Sequence, residues 1–269
     1  HLKLKNHDTA LEFASKALVI DNTDYQIHYI MGTAYTAKKE YEKAVASLLE
    51  GLKLKPDHAL MYNNLGSCYL ALKMIKEAQE AFEKAVELDS SNATSYYNLA
   101  TALQLQQKHK EAFEYFKKSY EIEPSEFYLS AAAVGSINAE SWHNAIVYYQ
   151  KLIIAHPEKQ NFQYNLATAY QQTGKYNEAI KLLTQLVATN PKSVAMGQRL
   201  ADCYEKTGNL QMAKNTYTNL IRLGKIPADV YYRYAILCMK TDDKDKAETI
   251  FKKVIQLDPK NPYAHKDLG

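Results

Sequence analysis

Residues 59–92 read ALMYNNLGSCYLALKMIKEAQEAFEKAVELDSSN, and this stretch decides the fold because its small residues recur at a fixed interval on both sides of it. Ala78 is one rung of the ladder Ala10, Ala44, Ala78, Ala112, Ala145, Ala179, Ala213 and Ala247, whose steps are 34 residues apart from a single step of 33. Gly66 belongs to a second ladder, Gly32, Gly66, Ala100, Ala133, Ala167, Ala201 and Ala235, always 12 residues before the next alanine of the first. Self-similarity at a period of roughly 20–50 residues marks a repeat architecture. Two small positions per period mark two places where helices approach closely.

Each period holds two helices, A and B. Beside the second ladder run Met31, Leu65, Leu99, Ala132, Leu166, Leu200 and Tyr234, with Tyr35, Tyr69, Leu103, Ser136, Tyr170, Tyr204 and Cys238 one turn further on. This apolar stripe has helical spacing and defines helix A. Four residues after the first ladder come Phe82, Phe116, Tyr149, Leu183, Tyr217 and Phe251, which define helix B. Pro56, Pro124, Pro157, Pro191 and Pro259 close most periods, since proline lacks the N–H that a continuing helix needs. Polar turns such as KKEYEK, QTGKYNE and KTGNLQM join A to B, with Gly174 and Gly208 suited to the left-handed residue that ends a helix. A lone hairpin cannot bury its apolar face, so successive hairpins must stack.

The pattern resembles the tetratricopeptide repeat family. Tyr62, Leu65, Gly66, Tyr69, Ala78, Phe82 and Ala85 stand where that family has its aromatic, Leu, Gly, Tyr, Ala, Phe and Ala. The resemblance implies an all-α, right-handed superhelix, an α-solenoid of stacked antiparallel helix pairs. It covers residues 1–269 as one array: a partial repeat 1–24, full repeats 25–58, 59–92, 93–125, 126–159, 160–193, 194–227 and 228–261, and a partial repeat 262–269. The sequence starts with His1 and stops within a repeat, which reads as a fragment of a longer protein. Repeat 126–159 departs from the pattern: Ser136 replaces the register tyrosine and Gly135 falls inside its A helix, at about 1 kcal/mol relative to alanine.

Composition narrows the function classes. With 46% hydrophobic and 23% charged residues, 9 Gly and 7 Pro, the chain is expected to fold almost throughout. A net charge of +3 supplies no single-sign field for a phosphate backbone, so nucleic acid is not an expected partner. No apolar run reaches the length of a spanning helix, so membrane insertion is not expected either. Cys68, Cys203 and Cys238 form no CxxC pair and lie in apolar stripes, the pattern of buried free thiols in a reducing, cytoplasmic compartment.

Catalytic motifs are not found: the sequence has no P-loop, dinucleotide fingerprint, HExxH or nucleophile elbow. No enzyme activity, cofactor or metal is expected, since the eight histidines form no ligand pair and TDDKDK lacks the Gly and distal Glu of a calcium loop. Asn92-Ala93-Thr94 is a glycosylation triplet, and Trp142 stands before the B helix of the odd repeat, where it reads as a turn-packing residue.

In the family, the inner wall formed by the A helices is the usual peptide site, which the resemblance implies here. The position facing it reads Ile30, Asn64, Asn98, Ala131, Asn165, Arg199 and Arg233. A side-chain amide both donates and accepts, so a row of asparagines suits the backbone of an extended peptide. That row resembles the asparagine ladder of O-linked N-acetylglucosamine transferases. Arg199 and Arg233 offer planar donors to a carboxylate, pointing to an acidic segment or chain end. Beside the row lie Tyr29, Asn63, Tyr97, Thr101, Tyr164, Thr168, Asp202 and Tyr232. The lysines of the chaperone-tail carboxylate clamp are missing. The expected function is a protein interaction module, a scaffold or adaptor holding a peptide of a protein partner. The alternatives are the substrate-recruiting arm of a multidomain enzyme such as a glycosyltransferase, and a structural subunit that self-associates through its cut ends.

Overall fold

A computed structural model describes the backbone of residues 2–223 and 226–268. All the regular structure among these residues is α-helical, in the order α1 (Leu2–Ile20), α2 (Tyr25–Ala37), α3 (Tyr41–Leu54), α4 (Ala59–Ala71), α5 (Ile75–Leu88), α6 (Ala93–Leu105), α7 (His109–Ile122) and α8 (Glu126–Asn138), continuing through α9 (Trp142–Ala155), α10 (Gln160–Gln172), α11 (Tyr176–Thr189), α12 (Val194–Lys206), α13 (Leu210–Leu223), α14 (Ala228–Lys240), α15 (Lys244–Leu257) and α16 (Pro262–Leu268). Even-numbered helices are the A helices and odd-numbered ones the B helices. The opening B helix, within the partial repeat 1–24, runs from Leu2 to Ile20.

Polar side chains start most of the A helices. Asp24, Asn92 and Ser193 accept the N–H of Gln26, Ser95 and Met196, and His58 Nδ1 accepts that of Met61, each satisfying a donor that the first turn leaves without a helical partner. Asn92 is thus a helix cap within its triplet.

The A helices end by one device. The turn residues Lys39, Lys73, Gln107, Glu140, Gly174, Gly208 and Asp242 all have φ between 56° and 77°. This left-handed step lets the following N–H bond back to the carbonyl of Tyr35, Tyr69, Leu103, Ser136, Tyr170, Tyr204 or Cys238, at 2.7–3.0 Å. The register residues of helix A are therefore also the acceptors that close it. Only two turns use glycine for this conformation, so a glycine search finds a minority of them.

Packing divides the chain into two units, His1–Ser141 and Trp142–Gly269. The division falls inside the odd repeat, between its A and B helices. In the first unit each helix from α1 to α8 packs on the next, and α2 and α4, like α4 and α6, also lie side by side. In the second unit α9 to α16 pack in the same consecutive manner. Both ladders line these contacts: Ala44, Ala78, Ala145, Ala179, Ala213 and Ala247 are fully buried, as are Ala100, Ala133, Ala167, Ala201 and Ala235. A Cβ on Gly66 would stand 2.7 Å from the Phe82 ring, so the missing side chain is what lets the two helices of that repeat touch. Burying a ring such as Phe82 stabilises by about 2–3 kcal/mol.

Cys68, Cys203 and Cys238 are buried and unbridged, and burial pushes each thiol upward, that of Cys203 to about 11. No helix among the described residues is long and apolar enough to cross a membrane.

Candidate functional site

The A helices carry a distribution of charge that packing does not require. Helices α2, α4, α6 and α10 contain no Asp, Glu, Lys or Arg, although about two-thirds of their positions are not buried. Helices α12 and α14 carry Arg199, Asp202, Glu205 and Lys206, and Asp229, Arg233 and Lys240. Arg199 and Arg233 occupy the register of Asn64 and Asn98, so the fold tolerates charge at that place.

In the first unit Tyr29, Asn63, Asn64, Tyr97, Asn98 and Thr101 are all half-buried on the A helices. Asn98 Nδ2 donates to Asn63 Oδ1 at 2.9 Å, linking α6 to α4. Asn64 Nδ2 lies 3.4 Å from the Thr33 hydroxyl. Thr101 turns its proton back onto the Tyr97 carbonyl at 2.9 Å. These bonds use a small part of what three amides can make, and the remaining donors and acceptors are available to a ligand.

Tyr97 and Thr101 also line a pocket of about 630 Å³ with Phe116 of α7 and Phe127, Ala131 and Val134 of α8. Phe127 and Val134 are 58% and 47% exposed, and the Tyr97 ring lies 4.8 Å from that of Phe127 and 5.6 Å from that of Phe116. Gly135 explains part of this shape. A Cβ there would meet Phe116 Cδ2 at 2.8 Å, so the glycine gives the Phe116 ring its place beside α8.

The second unit holds its candidates more firmly. Asn165 Nδ2 donates to the hydroxyl of Tyr149 at 2.8 Å, and the Tyr149 ring is buried in α9. Burial pushes the Tyr149 phenol up, and the Asn165 bond opposes that shift. Asp202 receives the Tyr217 hydroxyl at 3.4 Å and Arg233 Nη1 at 3.2 Å from each carboxylate oxygen. Arg199 donates from Nε to the Tyr164 hydroxyl at 3.3 Å and from Nη1 to Gln171, with its guanidinium 5.2 Å from the Tyr164 ring centre. Tyr232 donates to Asp267 at 2.8 Å, which raises its phenol, and Thr168 donates to the Tyr164 carbonyl. Both arginines thus have partners within the protein, and an acidic ligand has to compete with Asp202 for Arg233.

Sequence reasoning about the asparagine row passed over Phe127 and Val134. Their signal is the replacement of Asn by Ala131 in one repeat, which removes the polar atom between them. It also passed over Tyr149 and Tyr217, because their register marks them as core. Only the coordinates show the hydroxyls reaching Asn165 and Asp202.

A run of helix pairs, each packed on the next, with amides recurring at one register of its A helices defines the class of helical-repeat interaction scaffolds. Profiles described as tetratricopeptide repeat match residues 57–125, 137–196, 172–224 and 228–261, and one described as TPR repeat matches residues 32–73. The chain belongs to the tetratricopeptide repeat family, whose general task is protein interaction and whose members are typically not catalysts. Over 53 residues it is 42% identical to FK506-binding protein 5 of Rhizopus delemar, a match covering 20% of this chain and 14% of that protein. The solved structure of the C-terminal part of a TPR repeat-containing protein from Cytophaga hutchinsonii shares its fold, with TM-score 0.66 and 18% identity over 88% of this chain and 98% of the other. A tetratricopeptide repeat protein from Parabacteroides merdae matches with TM-score 0.53 and 16% identity over 91% and 97%. A chain in the structure of Naa15/Naa10 bound to HypK-THB matches with TM-score 0.63 and 17% identity, over 91% of this chain and 38% of that one.

Proposed function

We propose that this chain is a non-catalytic scaffold that holds a peptide segment of a partner protein along the groove of its A helices. The observation that carries the reading is the group Asn63, Asn64 and Asn98: side-chain amides on neighbouring helices, half-buried, uncharged and only partly used within the protein. Amides so placed suit a peptide backbone, which presents one donor and one acceptor per residue whatever its sequence. The named complex of Naa15/Naa10 with HypK-THB supports the reading, because a chain of similar fold there sits in a multi-protein assembly.

The test is a partner recovered with the wild-type protein and titrated against a variant carrying Asn64→Ala and Asn98→Ala. Losing two to three hydrogen bonds at about 1 kcal/mol each should weaken binding roughly thirty- to a hundred-and-fiftyfold, with the melting temperature lowered by no more than a few degrees through loss of the Asn98–Asn63 bond. Equal affinity for the two proteins would show that the partner binds elsewhere.

A further inference from the structure

The first unit carries an apolar, uncharged surface in place of the charge ladder that α12 and α14 display. Besides carrying no charge but Glu126 of α8, its A helices expose Ile30, Leu60, Leu105, Phe127 and Val134 to between 45% and 60%. A charged side chain laid against such a wall gives up water without gaining a counter-ion, which is unfavourable. An uncharged one loses nothing of the kind, and a bulky apolar one gains by burial.

The pocket between α6 and α8 is where that gain is concentrated. Tyr97, Phe116 and Phe127 supply three rings, Val134 a branched wall, and Ala131 leaves open the space that an asparagine fills at the same register of α4, α6 and α10. At about 630 Å³ it is roomy enough for a large side chain together with part of the backbone that bears it. Glu126 in the first turn of α8 is the one charged residue among those lining it.

We propose that this pocket takes a single bulky apolar side chain, aromatic or branched aliphatic, from an otherwise uncharged peptide segment whose backbone lies on Asn63, Asn64 and Asn98. The assignment rests on the groove reading above and adds to it the chemistry of the ligand. Repeat 126–159, the one that departs most from the pattern, is then the place where sequence preference is set, while the asparagine repeats bind backbone.

The probe is a phage-displayed library of random dodecapeptides, panned against the wild-type protein and against a Phe127→Asp, Val134→Asp variant. Both side chains are exposed, so the variant should keep its helical signal. Ala131→Asn, which only restores the amide of neighbouring repeats, serves as a second, milder variant. Wild type is expected to select peptides with Leu, Ile, Phe or Trp at one fixed position and few Asp, Glu, Lys or Arg around it. Changing that residue to serine should cost about ten- to a hundredfold in affinity, and affinity should vary little with salt. Both variants should lose the preference. Selection of charged peptides, or an apolar preference that survives in both variants, overturns the proposal. Peptides that depend on Asn64 and Asn98 yet ignore both pocket variants would leave the groove reading standing and remove this one. Failure to select anything removes both. A wild-type dimer that Val134→Asp dissolves would mean that a second copy fills the pocket, and would also overturn the proposal.

Discussion

Replacing Asn165 with alanine should lower the stability of the protein as well as any binding, which separates this asparagine from Asn64 of the same row. Its amide nitrogen donates at 2.8 Å to the hydroxyl of Tyr149, whose ring is 1% exposed. Removing the donor leaves a buried oxygen without its partner, a loss of about 1–3 kcal/mol, and the half-buried setting of Asn165 favours the lower half because water can enter. For a chain of this size, about 1–2 kcal/mol lowers the melting temperature by roughly 2–8 °C. The assay is a double-mutant cycle with Tyr149→Phe, followed by denaturant unfolding. Once the hydroxyl is gone, Asn165→Ala should cost little more, giving a coupling near 1 kcal/mol. A coupling under about 0.3 kcal/mol would refute the reasoning, since the two side chains would then be independent. Asn64→Ala, which gives up a 3.4 Å bond to the exposed Thr33, should by contrast change stability by less than about 0.5 kcal/mol.

The left-handed turns give opposite effects from one geometry. Lys73→Gly, at φ 63°, should stabilise by up to about 1 kcal/mol, while Gly174→Ala, at φ 75° with open space around its Cβ, should destabilise by about 1 kcal/mol, both read from denaturant midpoints. A third prediction concerns alkaline pH. Burial raises Cys203 from 9.0 to about 11, with the Asp202 carboxylate adding to it, and burial likewise raises Tyr149 and Tyr217. The folded state therefore favours the protonated forms. For Cys203 the contribution is complete below about pH 9 and is lost as pH rises toward about 11, by about 2–3 kcal/mol. Cys203→Ala should flatten the pH profile of stability in that window, and an unchanged slope would contradict it.

The architecture was legible because repetition multiplies a weak signal. One alanine says little, but eight alanines at a near-constant interval admit few structures besides nested hairpins. The small side chains are buried because nothing larger fits between helices that touch, so their spacing reports a packing constraint directly. The asparagine row was legible in the same way, by its register on helix A. That register fixed which face a residue occupies but could not say what the side chain does there.

Asn64, Asn98 and Asn165 stand at one position of the period, yet the first two bond to the polar side chains of Thr33 and Asn63 and the third to a buried tyrosine. The difference depends on the residue that the preceding B helix brings up, sixteen positions earlier: Leu48 and Phe82 have no hydroxyl and Tyr149 has one, and such a pairing exists only once the hairpins are stacked. The same holds for the pocket at Phe127 and Val134. Sequence by itself determined the period, the helix pairs and the family of this protein, because local spacing is enough to specify them. Tertiary structure alone decided that Gly135 makes room for Phe116, that Asp202 already occupies Arg233, and that an apolar hollow opens where the amides stop, because contacts between residues distant in the chain arise only when it folds.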